Sequence, residues 1–218
     1  MSTYPRADER KVMVERQIAS RGIHDRRVLA AMEEIPRHLF IPPPYDRAAY
    51  DDNPLPIGNG QTISQPYIVA LMTELLHPKA TDRMLEIGAG SGYQAAVLSR
   101  LIRQLTTIER ISHVATLARA NLQAIGITNV TVIEGDGTLG YPENAPYDGI
   151  IITAATPEIP RPLIEQLAEG GSLVAPVGGQ DLQELVAIRK THGSLTREFH
   201  GGVRFVPLIG EHGWNGGT

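Results

Sequence analysis

Two stretches of the chain carry residue types whose spacing can do chemistry. In Met84-Leu85-Glu86-Ile87-Gly88-Ala89-Gly90-Ser91-Gly92-Tyr93 an apolar strand pattern runs into three alternating glycines and then into helix-forming sequence. Glycines in such a turn permit positive φ and let a ligand meet the main chain with no Cβ in the way, while the helix start offers unpaired N–H groups. This is a cradle for a nucleotide-like cofactor, although the same cluster also suits a tight turn in an α/β crossover. The dinucleotide fingerprint wants a small residue one place further on, where this chain has Tyr93, and that argues against NAD. Glu86 at the strand end points the same way: an acid repels a pyrophosphate but favours a cationic group such as a sulfonium or an amine. S-adenosylmethionine carries both.

The second stretch is Pro56-Ile57-Gly58-Asn59-Gly60-Gln61-Thr62-Ile63-Ser64-Gln65-Pro66, glycines and small polar residues ahead of an apolar helix pattern. Ser64 or Gln65 can cap that helix, and a serine there can equally offer its hydroxyl and neighbouring N–H groups to an anion. Two acids complete the set. Glu109 closes a β-branched run roughly 20 residues beyond the glycine loop, where a doubly wound sheet places the carboxylate that accepts ribose hydroxyls; a solvent-facing strand end is the plain alternative. Asp136, in Gly135-Asp136-Gly137, can bind an adenine amino group or make an Asx turn. The seven histidines show no metal-ligand spacing, so no metal site is expected.

These groups need elements to hold them. An amphipathic helix is expected over 7–21, ended by Gly22, and a second is capped by Asp25 and stopped by Pro36. Pro42-Pro43-Pro44 reads as a stiff extended link and 48–55 as loop. Pro66 opens a helix whose buried face is Ile68, Val69, Met72, Leu75 and Leu76. Further on, helices over 95–102, 111–125 and 160–167 alternate with strands over 105–109, 130–134, 147–152 and 172–177. Two last strands, 185–189 and 203–208, are joined through a turn at His192-Gly193-Ser194. Such alternation predicts an α/β fold: a doubly wound, mostly parallel sheet with an antiparallel edge strand, preceded by N-terminal helices.

Composition narrows the partners. At 218 residues and 42% hydrophobic content, one domain over 1–218 is expected: N-terminal helices and an active-site loop over 1–80, a cofactor-binding sheet over 81–209, and a flexible glycine-rich tail over 210–218. A net charge of -4 argues against nucleic acid as partner. There is no cysteine, so disulfide and thiolate chemistry are excluded. No secretory h-region opens the sequence and no apolar run approaches the ~20 residues of a membrane span, so a cytoplasmic protein without membrane contact is expected.

Taken together, Glu86-Ile87-Gly88-Ala89-Gly90-Ser91-Gly92, Glu109 and Gly135-Asp136-Gly137 resemble class I S-adenosylmethionine-dependent methyltransferases. The stretch 58–66, Tyr147 to Ala155, Gly170-Gly171 with Pro176-Val177-Gly178, and Arg204-Phe205-Val206-Pro207-Leu208 are more specifically similar to the protein-L-isoaspartate O-methyltransferases. That resemblance implies a Rossmann-like sheet, S-adenosyl-L-methionine as methyl donor with S-adenosyl-L-homocysteine as product, and no metal. The substrates it implies are isoaspartyl-containing proteins and peptides, methylated on the free α-carboxylate by an enzyme expected to be a monomer. It makes Ser64 the active-site serine and gives Thr62, Ile63, Glu86, Gly88, Gly90, Glu109, Arg110, Asp136 and Gly137 to the cofactor. Within that set, Glu86 and Gly88 meet the methionine part, Glu109 the ribose, and Asp136 and Gly137 the adenine. A dinucleotide oxidoreductase and a passive S-adenosylmethionine sensor are the competing classes; Tyr93 counts against the first and the Ser64 stretch against the second.

Overall fold

In the computed structural model, which describes residues 4–215, the apolar strands β3 (Arg83–Ile87) and β6 (Tyr147–Ile152) lie side by side in mid-sheet. Strands covered on both faces have no polar side to alternate with, which is why both read as nearly unbroken apolar runs. The other strands are β4 (Gln104–Glu109), β5 (Val130–Glu134), β7 (Leu167–Gly178), β8 (Gln183–Thr191) and β9 (Ser194–Val203), and the sheet order is β5-β4-β3-β6-β7-β8-β9. The first five are parallel, and β8 and β9 continue antiparallel. From β3 the chain builds outward through β4 and β5; it then returns to lay β6 on the other side of β3. That reversal opens a crevice at the carboxyl ends of β3 and β6.

Successive residues on the strands feed two separate cores. Met84, Leu105, Ile151, Val174 and Leu185 face a core shared with α1 (Ala7–Met13), α2 (Arg26–Glu34), α3 (Pro66–Leu75), α4 (Tyr93–Ser99) and α5 (Ser112–Ala124). Their neighbours Leu85, Ile150, Ile152, Leu173 and Val186 face a smaller core closed by α6 (Arg161–Gln166). The period-2 alternation of a strand sends adjacent side chains to opposite faces, so one apolar run serves both cores.

The first helix continues past α1 through a π-helical stretch (Val14–Ile18) and a 3-10 turn (Ala19–Arg21) to Gly22, spanning the expected length. Asp25 caps α2 as expected, its carboxylate accepting from the Arg27 amide at 2.8 Å.

Three expectations change. The stretch before α3 contains a hairpin, β1 (Leu55–Gly58) paired antiparallel with β2 (Gln61–Ile63), where the sequence suggested only a loop. Its strands are too short for a pattern to show. The antiparallel pair at the edge of the sheet is as expected, but its last strand is 194–203 and not 203–208; β9 is mostly exposed and polar, so it lacks the alternation that marks a half-buried strand. The tail expected to be loose from Gly210 is tied down through Trp214: the Trp214 amide donates to Leu208 O at 2.7 Å and its indole N–H to Ala155 O at 3.1 Å. Residues 216–218 of that expected tail lie outside the described residues.

Leu85 is fully buried at the centre of the sheet, in the smaller core. Leu85→Ala should cost about 2–5 kcal/mol, read as a lower urea midpoint at unchanged m-value, because this central site cannot collapse around the cavity it leaves.

Candidate active site

A cavity of about 290 Å³ fills the crevice. Its floor is the glycine loop after β3 (Gly88 to Ser91) with Ile87. Its sides are the end of β4 (Ile108 to Ile111), Gly137 beyond β5 and Thr153-Ala154 beyond β6. The β1–β2 hairpin (Gly60 to Ser64) and the segment Val206 to Ile209 complete the wall. That last segment is held by pairing alongside Ala155: the Ala155 amide donates to Val206 O and the Leu208 amide to Ala155 O, each at 2.7 Å.

The loop is shaped by what cannot be there. Gly88 has φ +94°, and a Cβ on it would lie 2.5 Å from the Thr153 hydroxyl. That hydroxyl sits 2.6 Å from Gly88 O and 3.0 Å from Ile87 O, directing its proton between the two. At Gly137 a Cβ would meet the Ile87 side chain at 2.5 Å. Both positions therefore present bare main chain to the cavity. Tyr93, the residue that breaks the dinucleotide spacing, opens α4 with its ring almost wholly buried.

Glu109 lies at the cavity wall, 7% exposed, so the solvent-facing alternative does not hold. One carboxylate oxygen accepts from the Gly90 amide at 3.1 Å and the other from the Ile111 amide at 3.0 Å. A carboxylate offers about four lone-pair sites, so two remain for hydroxyls of a ligand. Thr62, Ile63, Ser64, Gly88, Gly90, Arg110 and Gly137 all line the same cavity.

Ser64 is half-buried there and is not a helix cap. The residue before α3 is Gln65, which makes no capping bond with its side chain. Asp52 does that work instead: one of its oxygens accepts from the Tyr67 amide at 3.2 Å and the other from the Gln65 side chain at 2.5 Å. The capping explanation of the serine thus falls away.

Two acids stand elsewhere than expected. Glu86 does not reach the cavity wall; it is fully buried beside Thr107 of the neighbouring strand, and neither carboxyl oxygen finds a hydrogen-bond partner among the described residues. Burial pushes its pKa up to about 8, with the charge of Glu109 adding to the rise and the Thr107 hydroxyl opposing it. Burial thus favours its protonated form at neutral pH. Asp136 also turns away from the cavity. Its carboxylate accepts from the Thr138 amide and hydroxyl (2.9 and 2.7 Å) and from the Glu211 amide (2.7 Å), the bonds of an Asx turn. Burial works to raise its pKa, but the bonds from Glu211 and Thr138 hold it below the usual value. Asp136 thereby fastens the tail behind the wall that Val206 to Ile209 provides.

A parallel sheet that reverses at β3/β6, continues in an antiparallel pair, and carries a glycine loop and a strand-end acid at its switch point defines a Rossmann-like methyltransferase. The sequence model described as protein-L-isoaspartate(D-aspartate) O-methyltransferase matches residues 8–213, and the chain belongs to that family. It is 68% identical over 211 residues to the protein-L-isoaspartate O-methyltransferase of Methanoregula boonei, covering 97% of each chain. With that of Methanoculleus marisnigri it shares 57% over 216 residues, 99% of this chain and 98% of the relative. Among solved structures, a protein-L-isoaspartate O-methyltransferase superposes with a TM-score of 0.83 at 30% identity, covering 94% of this chain and 67% of that one. A β-aspartate methyltransferase from Plasmodium falciparum, in complex with S-adenosyl-L-homocysteine, gives 0.79 at 26%, covering 92% and 98%.

Missed by sequence reasoning were the wall segment Val206 to Ile209 and the anchor Asp52. The first reads from sequence as a strand and the second as part of a loop; Pro207 within the supposed strand is the available warning.

The neutral state of Glu86 has a measurable sign. Its folded pKa, about 8, lies above the ordinary 4.5, so the folded protein holds a proton that the unfolded chain has lost between those values. This residue's contribution is complete below pH 4.5 and is lost as pH rises to about 8. Urea titrations should show Glu86→Gln close to wild type at pH 5 and gaining on it by on the order of 1 kcal/mol per pH unit up to pH 8. Parallel pH curves for the two proteins would place the ionisation elsewhere.

Proposed function

We propose that this chain transfers a methyl group from S-adenosyl-L-methionine to the free α-carboxylate of L-isoaspartyl residues, and to the side-chain β-carboxylate of D-aspartyl residues, in damaged proteins and peptides. The observation that carries the reading is Ser64: a half-buried residue on the wall of the cavity that the glycine loop also lines, and free of any capping duty. The resulting ester is activated for closure to a succinimide, whose hydrolysis returns part of the damaged sites to normal aspartate.

The cavity fits such a cofactor on its own features. Glu109 keeps lone pairs for ribose hydroxyls, and Gly88 and Gly137 bring bare main chain to the wall where a Cβ would clash with Thr153 and Ile87. Ile63, Ile108, Ile111 and Leu208 supply apolar wall for a flat ring and a thioether chain, and Arg110 and Thr62 add polar groups at the wall. When bound, S-adenosyl-L-methionine supplies a sulfonium-activated methyl group. A substrate carboxylate with a reference pKa near ~4 is already ionised at neutral pH, so the chain needs no general base. Its tasks are to orient one carboxylate oxygen in line and to exclude water. Ser64 holds the carboxylate by a hydrogen bond from its hydroxyl, and the hairpin and the 206–209 segment narrow the access of solvent. We place its action in the cytoplasm as a monomer; no helix among the described residues is long and apolar enough to cross a membrane.

Two substitutions test the assignment. Labelled methyl transfer should appear with an isoaspartyl peptide and not with its aspartyl twin, and Ser64→Ala should lower kcat/KM by roughly tenfold to a hundredfold, as loss of a charge-assisted bond of about 1.5–3 kcal/mol requires. Its Tm should stay near wild type, because Ser64 caps nothing. A wild-type rate in this variant would remove Ser64 from catalysis. For Glu109→Gln, calorimetry with S-adenosyl-L-homocysteine should read a Kd raised by on the order of tenfold to a hundredfold; an unchanged Kd in the folded variant would take Glu109 out of the ribose site.

A further inference from the structure

Arg37, in the 3-10 turn Arg37–Phe40 that follows α2, is 0% exposed and donates only to main-chain carbonyls. Its Nε reaches Ala49 O at 2.8 Å, one terminal nitrogen reaches Ser64 O at 2.8 Å, and the other reaches Asn53 O at 3.2 Å. Its guanidinium carbon lies 5.2 Å from the centre of the Tyr93 ring, which also lines the cavity. One planar group thus joins the N-terminal helices, the loop ahead of the hairpin, the serine and the start of α4.

We propose that Arg37 is a positioning residue for the methyl transfer, fixing the main chain of Ser64 so that its hydroxyl meets the substrate carboxylate in line; this rests on the reading of Ser64 given above. The argument is geometric. A guanidinium presents its donors in a rigid plane, so with two of them anchored on Ala49 and Asn53 the third defines where the Ser64 carbonyl can sit. On the other side, Pro66 restricts Gln65 and α3 is held by Asp52, so the serine is clamped in sequence from both directions. Lysine has a single nitrogen on a flexible stem and cannot hold three divergent carbonyls at once. Burial lowers the Arg37 pKa to about 10, which still leaves it charged at neutral pH and a donor at every nitrogen. A displacement of the serine by about 1 Å is enough to cost on the order of a hundredfold in rate, while a cofactor held by the glycine loop and Glu109 would not register it.

Arg37→Lys is the test, measured beside Ser64→Ala and the double variant on an isoaspartyl peptide, with folding checked by thermal melts. Arg37→Lys should lower kcat by about tenfold or more, and the Kd for S-adenosyl-L-homocysteine should move by less than about threefold. In the Ser64→Ala background the same substitution should cost less than about threefold, since the hydroxyl it aims is gone. A folded Arg37→Lys protein with wild-type kcat, or losses that multiply fully in the double variant, would overturn the proposal. If Arg37→Lys does not fold, Arg37→Gln carries the same comparison below its own melting midpoint; failure of both to fold would assign Arg37 to the fold and not to positioning. Should Ser64→Ala keep the wild-type rate, the catalytic reading of Ser64 fails and this proposal with it. Should Ser64→Ala be impaired and Arg37→Lys not, only the role of Arg37 fails.

Discussion

One hydroxyl closes the gap at which the sheet divides. Strands β3 and β6 are neighbours, yet their chains leave toward opposite faces, so the carbonyls at their shared end have no further strand to pair with. Thr153 directs its proton at two of these, Ile87 O and Gly88 O, and the Thr153 amide donates to Ile87 O at 2.9 Å. This contact leaves no space for a Cβ at residue 88 and ties the floor of the cavity to the wall beyond β6. The hairpin, the Glu109 acid and the 206–209 segment are arranged around a shape that this junction defines.

Much of the architecture was legible because its causes are local or periodic. The unbroken apolar run of β6, the Asp25 cap and the glycine loop each follow from rules that act within a few residues. What escaped reading depends on distant partners. Strands β1 and β2 are three or four residues long and exist because each has the other. β9 is mostly exposed, and its pairing with β8 is invisible to any pattern of burial. In the site, Ser64, Glu109, Gly88, Gly90 and Gly137 line one cavity, since a turn and a strand end fix their positions. The two other acids do not, because the direction of a carboxylate is decided by what it meets in three dimensions.

Glu86 and Asp136 illustrate opposite fates of a buried acid. Desolvation, opposed only by the Thr107 hydroxyl, raises the pKa of Glu86; three donor bonds hold that of Asp136 below the usual value. Formal charge read from sequence would have assigned -1 to each. Arg37 adds the cationic counterpart, a buried guanidinium surrounded by carbonyl dipoles in place of a carboxylate. The polar interior of this protein is organised by main-chain partners far more than by ion pairs, which among the described residues lie chiefly toward the surface.

Strand β9 shapes how the protein behaves in company. It pairs on one side with β8 and has no strand on the other among the described residues, so a row of amides and carbonyls faces outward, with Phe199 64% exposed along it. An open border of this kind is a template onto which a strand of any other polypeptide can zip. The chain breaks that template early: the ladder slips between Glu184 and Val186, and Gly201 at φ +92° bends β9 beyond His200. Charged Arg197 and Glu198 and the polar Thr196 occupy most of the straight portion that is left. In a family that acts on isoaspartyl-containing proteins, this slipped, bent and charged border limits strand-on-strand pairing with the enzyme's own clients.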